Sequence, residues 1–455
     1  MKTKRSYSAA DVETFDARQL VPQLATGSIV AIDVAKTKFV AAIATVTGEV
    51  VKLVKFEHPR QTGLFLSQVS LLGEAGQEPA VVMESTGTYG DAVRYQCHRR
   101  GLTVHMMAPK HTHDFAEILD GVPSMHDGKA AVVLAKLQAI KPARAWAPDS
   151  EERRDMRAWV DQRRLIGRTL GLYYGHLEAM MARHWPEAWS HIDVCRQRSW
   201  MALMKALPGP QAIAAEPEAA KELLRKASRG QFDVARVDAL VASAQTTTGV
   251  PMTAGEREKL RALVEQLELQ LQRLTAVDSK LSELVEKDEV LRPMTTVVGP
   301  ACSAAIGALV GAPTEFENAG AFEKAIGLNL KEKSSGNVKG RLSITKRGPG
   351  SVRHLLYLAA LRMLKDASMI PRAWYRARES HKAKQSLKAV VALMRKLARA
   401  LWHVGRGATF DPTKLFDTRR LGLSATAKAL AEEICASPLG ASTPVATCEG
   451  GAALV

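Results

Sequence analysis

Cysteine pairs, long apolar runs and, in one segment, acidic residues are all scarce in this chain, and each scarcity removes a class of protein. The five cysteines, Cys97, Cys195, Cys302, Cys435 and Cys448, are scattered with no C-x-x-C pair. That excludes a zinc module and a disulfide framework and leaves buried or idle thiols in a reducing compartment. No stretch reaches 18 uninterrupted apolar residues, and Met1 to Gln23 is polar, mixed in charge and without an apolar leader core. Neither a spanning helix nor a secretion signal is expected, and the chain reads as cytoplasmic. Residues 331–420 hold 5 Asp/Glu against 22 Lys/Arg, a local +17 in a chain whose net charge is +16. One segment therefore carries the whole excess. A basic domain on a near-neutral remainder points to a polyanionic partner, nucleic acid first and an acidic membrane surface second, with a merely solubilising surface as the plain alternative.

The rest of the composition is ordinary for a globular protein: 46% hydrophobic and 24% charged over 455 residues, enough for about two to four domains. From Ser28 the chain turns to short apolar runs: SIVAIDV (Ser28–Val34), KFVAAIAT (Lys38–Thr45) and VVKLVKFE (Val50–Glu57). Their length, Val and Ile content and the break at Thr47-Gly48 predict three strands with tight connections. A helix is expected over Thr62–Ala75, a strand at PAVVMES (Pro79–Ser85), a helix over Tyr89–Arg100, a strand at LTVHMMA (Leu102–Ala108) and a helix over Asp127–Ala139. This is an α/β domain over 28–145 behind an N-terminal extension, 1–27. A helical region, 146–292, follows. Within it Leu260, Leu263, Val264, Leu267, Leu271, Leu274, Leu281, Leu284 and Val285 recur at spacings of three, four and seven between Pro251 and Pro293. That predicts an amphipathic, coiled-coil-like helix with a partner helix in cis or in a second subunit. Residues 293–405 read as a mainly helical basic domain and 406–455 as a poorly ordered tail.

Asp33 ends the first apolar strand, Glu84 ends the fourth, and Asp127 opens a helix in MHDGKAAVVLAKL. Strand ends of an α/β sheet are where ligand and metal sites form. Any one of these acids alone is as well explained as a turn or cap residue. Three converging carboxylates would repel one another unless a cation neutralised them, and all-oxygen ligands favour magnesium, or manganese, over zinc. Such sites bind phosphate esters, which joins the acids to the basic segment.

With Asp33 in a first strand, Glu84 at the end of the fourth and an acid opening the helix near 127, the chain resembles the RuvC-like branch of the RNase H fold. Within it, the chain resembles the DEDD transposases of insertion sequences, which are bridge-RNA-guided recombinases. In that family the third and fourth acids open a helix as D-x-x-D-A. Here the stretch reads Asp127-Gly128-Lys129-Ala130-Ala131, so Ala130 replaces the fourth acid and the site is incomplete. A methyl in place of a carboxylate removes a ligand and a charge.

A second resemblance lies in 293–362. VVGPACSAAIGALVG (Val297–Gly311) has a Gly-Pro turn opening an apolar helix, the form of a helix–hairpin–helix element in which the amide at Gly299 can hold a phosphate; a plain helix start fits equally. AFEKAIGLNLKEKSSGNVKGRLSITKRGPGSVRHLL (Ala321–Leu356) is similar to the family's C-terminal transposase domain: a Gly-Leu, a Ser-Gly in a polar loop, an I-T-K-R-G turn and an Arg in the next helix. The resemblance implies that Ser335 is the nucleophile, with Ser334 the alternative. Lys333, Lys339, Arg341, Lys346, Arg347 and Arg353 supply positive charge for nucleic acid around that loop. The run from Arg372 to Arg399, with Trp374 and Tyr375 at its start, suits contacts to RNA or single strands, or is a charged outer helix face.

The resemblance therefore implies an RNA-guided DNA recombinase in which Ser335 attacks a phosphodiester while Asp33, Glu84 and Asp127 hold Mg2+. Its partners are a guide RNA and donor and target DNA, and it is a dimer that becomes a tetramer on nucleic acid, with the 256–291 helix as assembly contact. Two rivals stand beside it: a metal-dependent junction resolvase that uses water, and a catalytically impaired nucleic-acid-binding protein, which Ala130 makes plausible.

Overall fold

The computed structural model describes residues 7–85, 87–121, 126–193, 197–335, 338–365, 370–380 and 386–416. Cys195, Cys435, Cys448 and the tail from 417 on lie outside that range. The chain divides into two compact units, 1–149 and 150–455.

In the first unit seven strands form one sheet: β1 (Ala10–Asp11), β2 (Ser28–Asp33), β3 (Lys38–Thr45), β4 (Val50–Glu57), β5 (Pro79–Glu84), β6 (Val104–Met107) and β7 (Ala145–Trp146). Their order is β1-β4-β3-β2-β5-β6-β7. β2, β3 and β4 form an antiparallel meander, and β5 and β6 continue the sheet parallel to β2. The inner five strands have the RNase H-like arrangement. β2 is buried along nearly its whole length because both faces of the sheet are covered, which is why it reads as a continuous apolar run rather than an alternating one. Alternate residues separate cleanly. Val30, Ile32, Val81 and Met83 pack with Phe39, Phe56 and Phe65 on one face. Ala31, Ala42 and Val82 pack with Ala131, Leu134 and Ala135 of the Asp127–Ile140 helix on the other.

The strands predicted at Lys38–Thr45 and Val50–Glu57 form over those same residues. The elements not expected are the helix Pro109–Asp120, the short helical turns between Val12 and Leu24, and the two edge strands β1 and β7. The segment read as an extension is folded into the unit. Val12, Phe15, Ala17, Leu20 and Leu24 are buried in its core, and β1 pairs with β4. Two-residue strands and scattered apolar side chains carry no periodic signal, so only the tertiary contact defines them.

The second unit is built on two long helices, Glu151–His184 and Ala254–Glu286. The second starts at a capping box, Thr253 with Glu256, which satisfies two orphan amides at once. Arg163 bonds Asp278 at 2.6 Å near one end and His184 lies 3.6 Å from Glu256 at the other, so the pair runs antiparallel. Leu260, Val264, Leu267, Val277, Leu281 and Val285 are buried in this unit's own core. The partner helix that the leucine spacing demands is therefore in cis. Residues assigned by sequence to separate helical and basic regions share one core, which runs from Met156 through Leu281 and Ile306 to Leu401.

Beyond Pro300–Leu309 and Ala319–Ile326 comes a β-hairpin, β8 (Leu330–Ser335) with β9 (Val338–Ile344), and then helices Gly350–Lys365, Ile370–Ser380 and Ser386–Val404. Glu323, 1% exposed, accepts from Arg395 and Arg399 at 2.6 Å each, pinning the short helix to the last one. A carboxylate is tolerated at that depth only because both of its oxygens are paired.

Candidate active site

Ile32 of β2 pairs with Met83 of β5 in a parallel register. Asp33 and Glu84 are the next residues on each strand. Side chains alternate along a strand, and Ala31 and Val82, two residues back, pack under the Asp127–Ile140 helix. Both carboxylates thus project from neighbouring strand ends toward the face that this helix covers. Asp127 sits in the helix's first turn, and the N-cap is His126, whose Nδ1 accepts from the Lys129 amide at 3.2 Å. Capping is not the role of Asp127, which was the plain alternative for it, and the helix N-terminus favours a negative charge there.

Asp33 senses both of the other acids. Burial, then the charge of Asp127, then that of Glu84 push the Asp33 carboxyl up to about 6. Burial raises Glu84 as well, opposed by the nearby Thr112 hydroxyl. Thr112 is itself buried and its hydroxyl lacks a well-formed hydrogen bond, so its contact with Glu84 is weak. A part-buried carboxyl whose pKa is raised by burial and by two neighbouring acids is suited to a cation.

The donor set is all carboxylate oxygen, which suits a hard divalent ion such as magnesium or manganese. Ala130, one turn beyond Asp127, is 8% exposed and offers only a methyl group. Among the described residues no three His, Cys, Asp or Glu side chains are gathered closely enough to hold a metal ion. The chemistry of the acids fits a divalent ion; their number and spacing leave the site incomplete.

In the second unit Ser335 ends β8, and its partner across the hairpin is Val338, while Lys333 pairs with Arg341. Sequence reading put this serine in a loop; it is instead on a strand of a two-stranded sheet with an irregular register between Lys333 and Ser335. The side chains of Lys333, Ser334, Ser335, Lys339 and Arg341 lie outside the described residues.

The base of the hairpin is well defined. The Thr345 hydroxyl donates to Asn329 Oδ1 at 2.5 Å, and the Thr345 and Lys346 amides bond the Asn329 and Gly327 carbonyls at 2.9 and 3.0 Å. Lys346 and Arg347 are exposed, as nucleic-acid contacts must be, with Lys346 at φ +57°. Arg353 behaves differently. One of its terminal nitrogens donates to the Ile326 carbonyl at 3.1 Å and the Gly348 carbonyl at 2.7 Å, and desolvation lowers its pKa. It ties the two ends of the hairpin together instead of facing outward. The close approach explains both glycines: a Cβ on Gly327, at φ +81°, would lie 2.8 Å from Arg353 Nη1, and one on Gly348 would lie 2.3 Å from the Ala325 carbonyl.

Gly299, at φ +82°, caps the Pro300–Leu309 helix. A Cβ there would sit 3.5 Å from both terminal nitrogens of Arg362, a cation that sequence reading missed because nothing but the fold brings it to this helix start. The two described cysteines, Cys97 and Cys302, are buried, and burial pushes each thiol up to about 12, which makes them inert.

An RNase H-like sheet bearing acids at two neighbouring strand ends and at the start of the covering helix belongs to a class that includes transposases. Residues 30–186 match the family model of the DEDD transposase of IS110, and residues 293–376 match the family described as Transposase IS116/IS110/IS902. The chain carries two IS110-family transposase domains, which support a DNA transposase or recombinase. No curated protein matches it. Among the described residues no helix is long and apolar enough to cross a membrane.

Proposed function

We propose that this transposase recombines DNA under the direction of a structured guide RNA, with Ser335 as nucleophile and Asp33, Glu84 and Asp127 as the holders of magnesium. The observation that carries the reading is that Asp33 at one strand end feels both Glu84, at the neighbouring strand end, and Asp127, at the start of the covering helix. The Ser-Gly hairpin and its basic base within the second matched domain support the serine assignment.

The Ser335 hydroxyl gives up its proton and forms an O–P bond to the scissile phosphodiester. The P–O bond to the adjoining strand breaks, and the leaving oxygen takes a proton. The strand is then held as a phosphoserine ester, so the energy of the broken bond is kept for rejoining. Lys346 and Arg347 neutralise phosphate charge beside the hairpin. Asp33, Glu84 and Asp127 would hold a divalent ion, and the chemistry such an ion would supply is stabilisation of negative charge on the phosphate. Base pairing between RNA and DNA selects donor and target, and the protein reads backbone and shape. Several strands must be cut and rejoined, which calls for a dimer that becomes a tetramer on nucleic acid.

The test is Ser335→Ala in a recombination assay with the co-expressed RNA. Recombination is expected to vanish while DNA and RNA binding persist. Undiminished strand cleavage would replace the serine pathway with the water-dependent resolvase. A discrete RNA of fixed length in the freshly purified protein is expected; protein that copurifies with no RNA and needs none would remove the guide. Light scattering that gives a monomer both free and on nucleic acid would remove the assembly.

A further inference from the structure

A hydroxyl inside a helix can satisfy itself on the carbonyl one turn back, and Ser67, Thr169 and Thr275 do so, each donating to the carbonyl four residues earlier at 3.0 or 3.1 Å. Thr112 does not. It is 1% exposed in the Pro109–Asp120 helix, and among the described residues its hydroxyl has no well-formed hydrogen bond. The Ala108 carbonyl, four residues back, already accepts the His111 and Thr112 amides at 2.9 and 3.4 Å. A hidden hydroxyl without a firm partner costs its desolvation, so its position calls for a reason.

Glu84 lies opposite Met107 in the pairing of β5 with β6, and the Ser85 amide donates to the Met107 carbonyl at 3.0 Å. The chain therefore leaves β6 beside Glu84 and, after Ala108, enters the helix at once. Thr112, Phe115, Ala116 and Leu119 form the inward stripe of that helix. Thr112 and Ala116 are buried, while Phe115 and Leu119 pack on the core that holds Ala31 and Val82. That core is on the face of the sheet toward which Asp33 and Glu84 project. Thr112 is the polar member of the stripe, in the part of the helix that starts beside Glu84, and the Glu84 carboxyl feels its hydroxyl.

We propose that Thr112 is a positioning residue for Glu84: its hydroxyl donates to one carboxylate oxygen and leaves the other turned toward Asp33. A half-buried carboxylate with one oxygen held no longer swings out into solvent, and the held oxygen has its charge satisfied by a donor that is itself fixed by packing. The hydroxyl hydrogen turns about a single bond, so it can be aimed at Glu84 with no change in the helix. The inference rests on the proposed function only for the identity of the ion as magnesium; the hydrogen bond belongs to the metal-free protein.

The experiment compares Thr112→Val, which keeps the shape and loses the hydroxyl, with Thr112→Ser, which keeps the hydroxyl and loses a methyl group, both in the full-length protein. In metal-free protein labelled with 13C at the glutamate carboxyls, at about pH 8 where carboxylates are ionised, the Glu84 resonance is assigned by its loss in Glu84→Gln. It is expected to shift in Thr112→Val and to keep its place in Thr112→Ser. Magnesium affinity, read by calorimetry, falls about tenfold or more in Thr112→Val and stays within about threefold in Thr112→Ser. Metal-free melting temperatures take the opposite order: Thr112→Val is unchanged or higher because no hydroxyl is left hidden, and Thr112→Ser is lower because it opens a gap. A packing role would move affinity and melting together. An unmoved Glu84 resonance in Thr112→Val would overturn the inference, as would a serine variant displaced as far as the valine one, or full magnesium affinity without the hydroxyl. Wild-type protein that takes up no magnesium would remove the magnesium reading, and the resonance would then decide the hydrogen bond by itself.

Discussion

Asp127 acts on Asp33 more strongly than Glu84 does, although Glu84 ends the strand hydrogen-bonded to that of Asp33 and Asp127 lies on a helix far along the chain. The helix delivers its acid to the site through packing, not through strand pairing. It follows that the electrostatics of the site depend on how this helix sits on β2.

The Asp33 carboxyl, raised to about 6 from 3.8, binds more protons folded than unfolded between those values. Its contribution to stability therefore falls as pH rises from about 4 through 6, and at neutral pH it is a net cost. Asp33→Asn should stabilise the metal-free protein at pH 7.5 by about 1–2 kcal/mol after allowance for partial exposure, and by much less at pH 4.5. Thermal unfolding at the two pH values checks this; equal gains at both would contradict it.

Magnesium competes with that proton. Magnesium affinity, followed by calorimetry, is expected to fall below about pH 6, where Asp33 becomes protonated. A flat affinity from pH 5 to 8 would take Asp33 out of the ligand set.

Ala130→Asp restores a carboxylate one turn from Asp127, at a position 8% exposed. Without divalent ions it adds a fourth negative charge to a site that already repels, and should cost about 1–3 kcal/mol. With magnesium the order reverses, with affinity up tenfold or more and recombination raised. Melting temperatures with and without the ion read both effects. No gain with magnesium would favour a protein that binds nucleic acid without catalysis.

Arg353→Ala removes the one guanidinium nitrogen that donates to both the Ile326 and the Gly348 carbonyl. Amide exchange across Leu330–Ile344 should speed up and recombination should fail, while DNA affinity stays within about twofold. Lys346→Ala and Arg347→Ala should behave oppositely, each lowering the salt slope by about 1 with the hairpin still protected. If Arg353→Ala weakened binding just as those two do, Arg353 would be a nucleic-acid contact after all.

Glu323→Gln leaves Arg395 and Arg399 facing a neutral amide at a buried position. A loss of about 3–5 kcal/mol in urea unfolding is expected.

The strands of the first unit were legible because each is a short, Val- and Ile-rich run bounded by turn residues, and Asp33 and Glu84 were legible as acids closing such runs. Ser335 was singled out by the surrounding pattern, whereas the strand that it ends was not expected. LKEKSS and VKGRLSI are polar and lysine-rich, and only their pairing with each other makes them β. Arg362 was missed because a lone arginine carries no spacing signal. What marks it is its proximity to Gly299, which belongs to the fold.

By itself the sequence determined the five inner strands, the helical remainder and the concentration of positive charge near the end, since all of these are local in composition or period. Tertiary structure alone decided that the leucine-rich helix buries its stripe against Glu151–His184, that residues 10–24 complete the first core, and that Arg353 turns inward to two carbonyls. Each of these depends on which surfaces meet, and burial and hydrogen-bond geometry are properties of that meeting rather than of any segment alone.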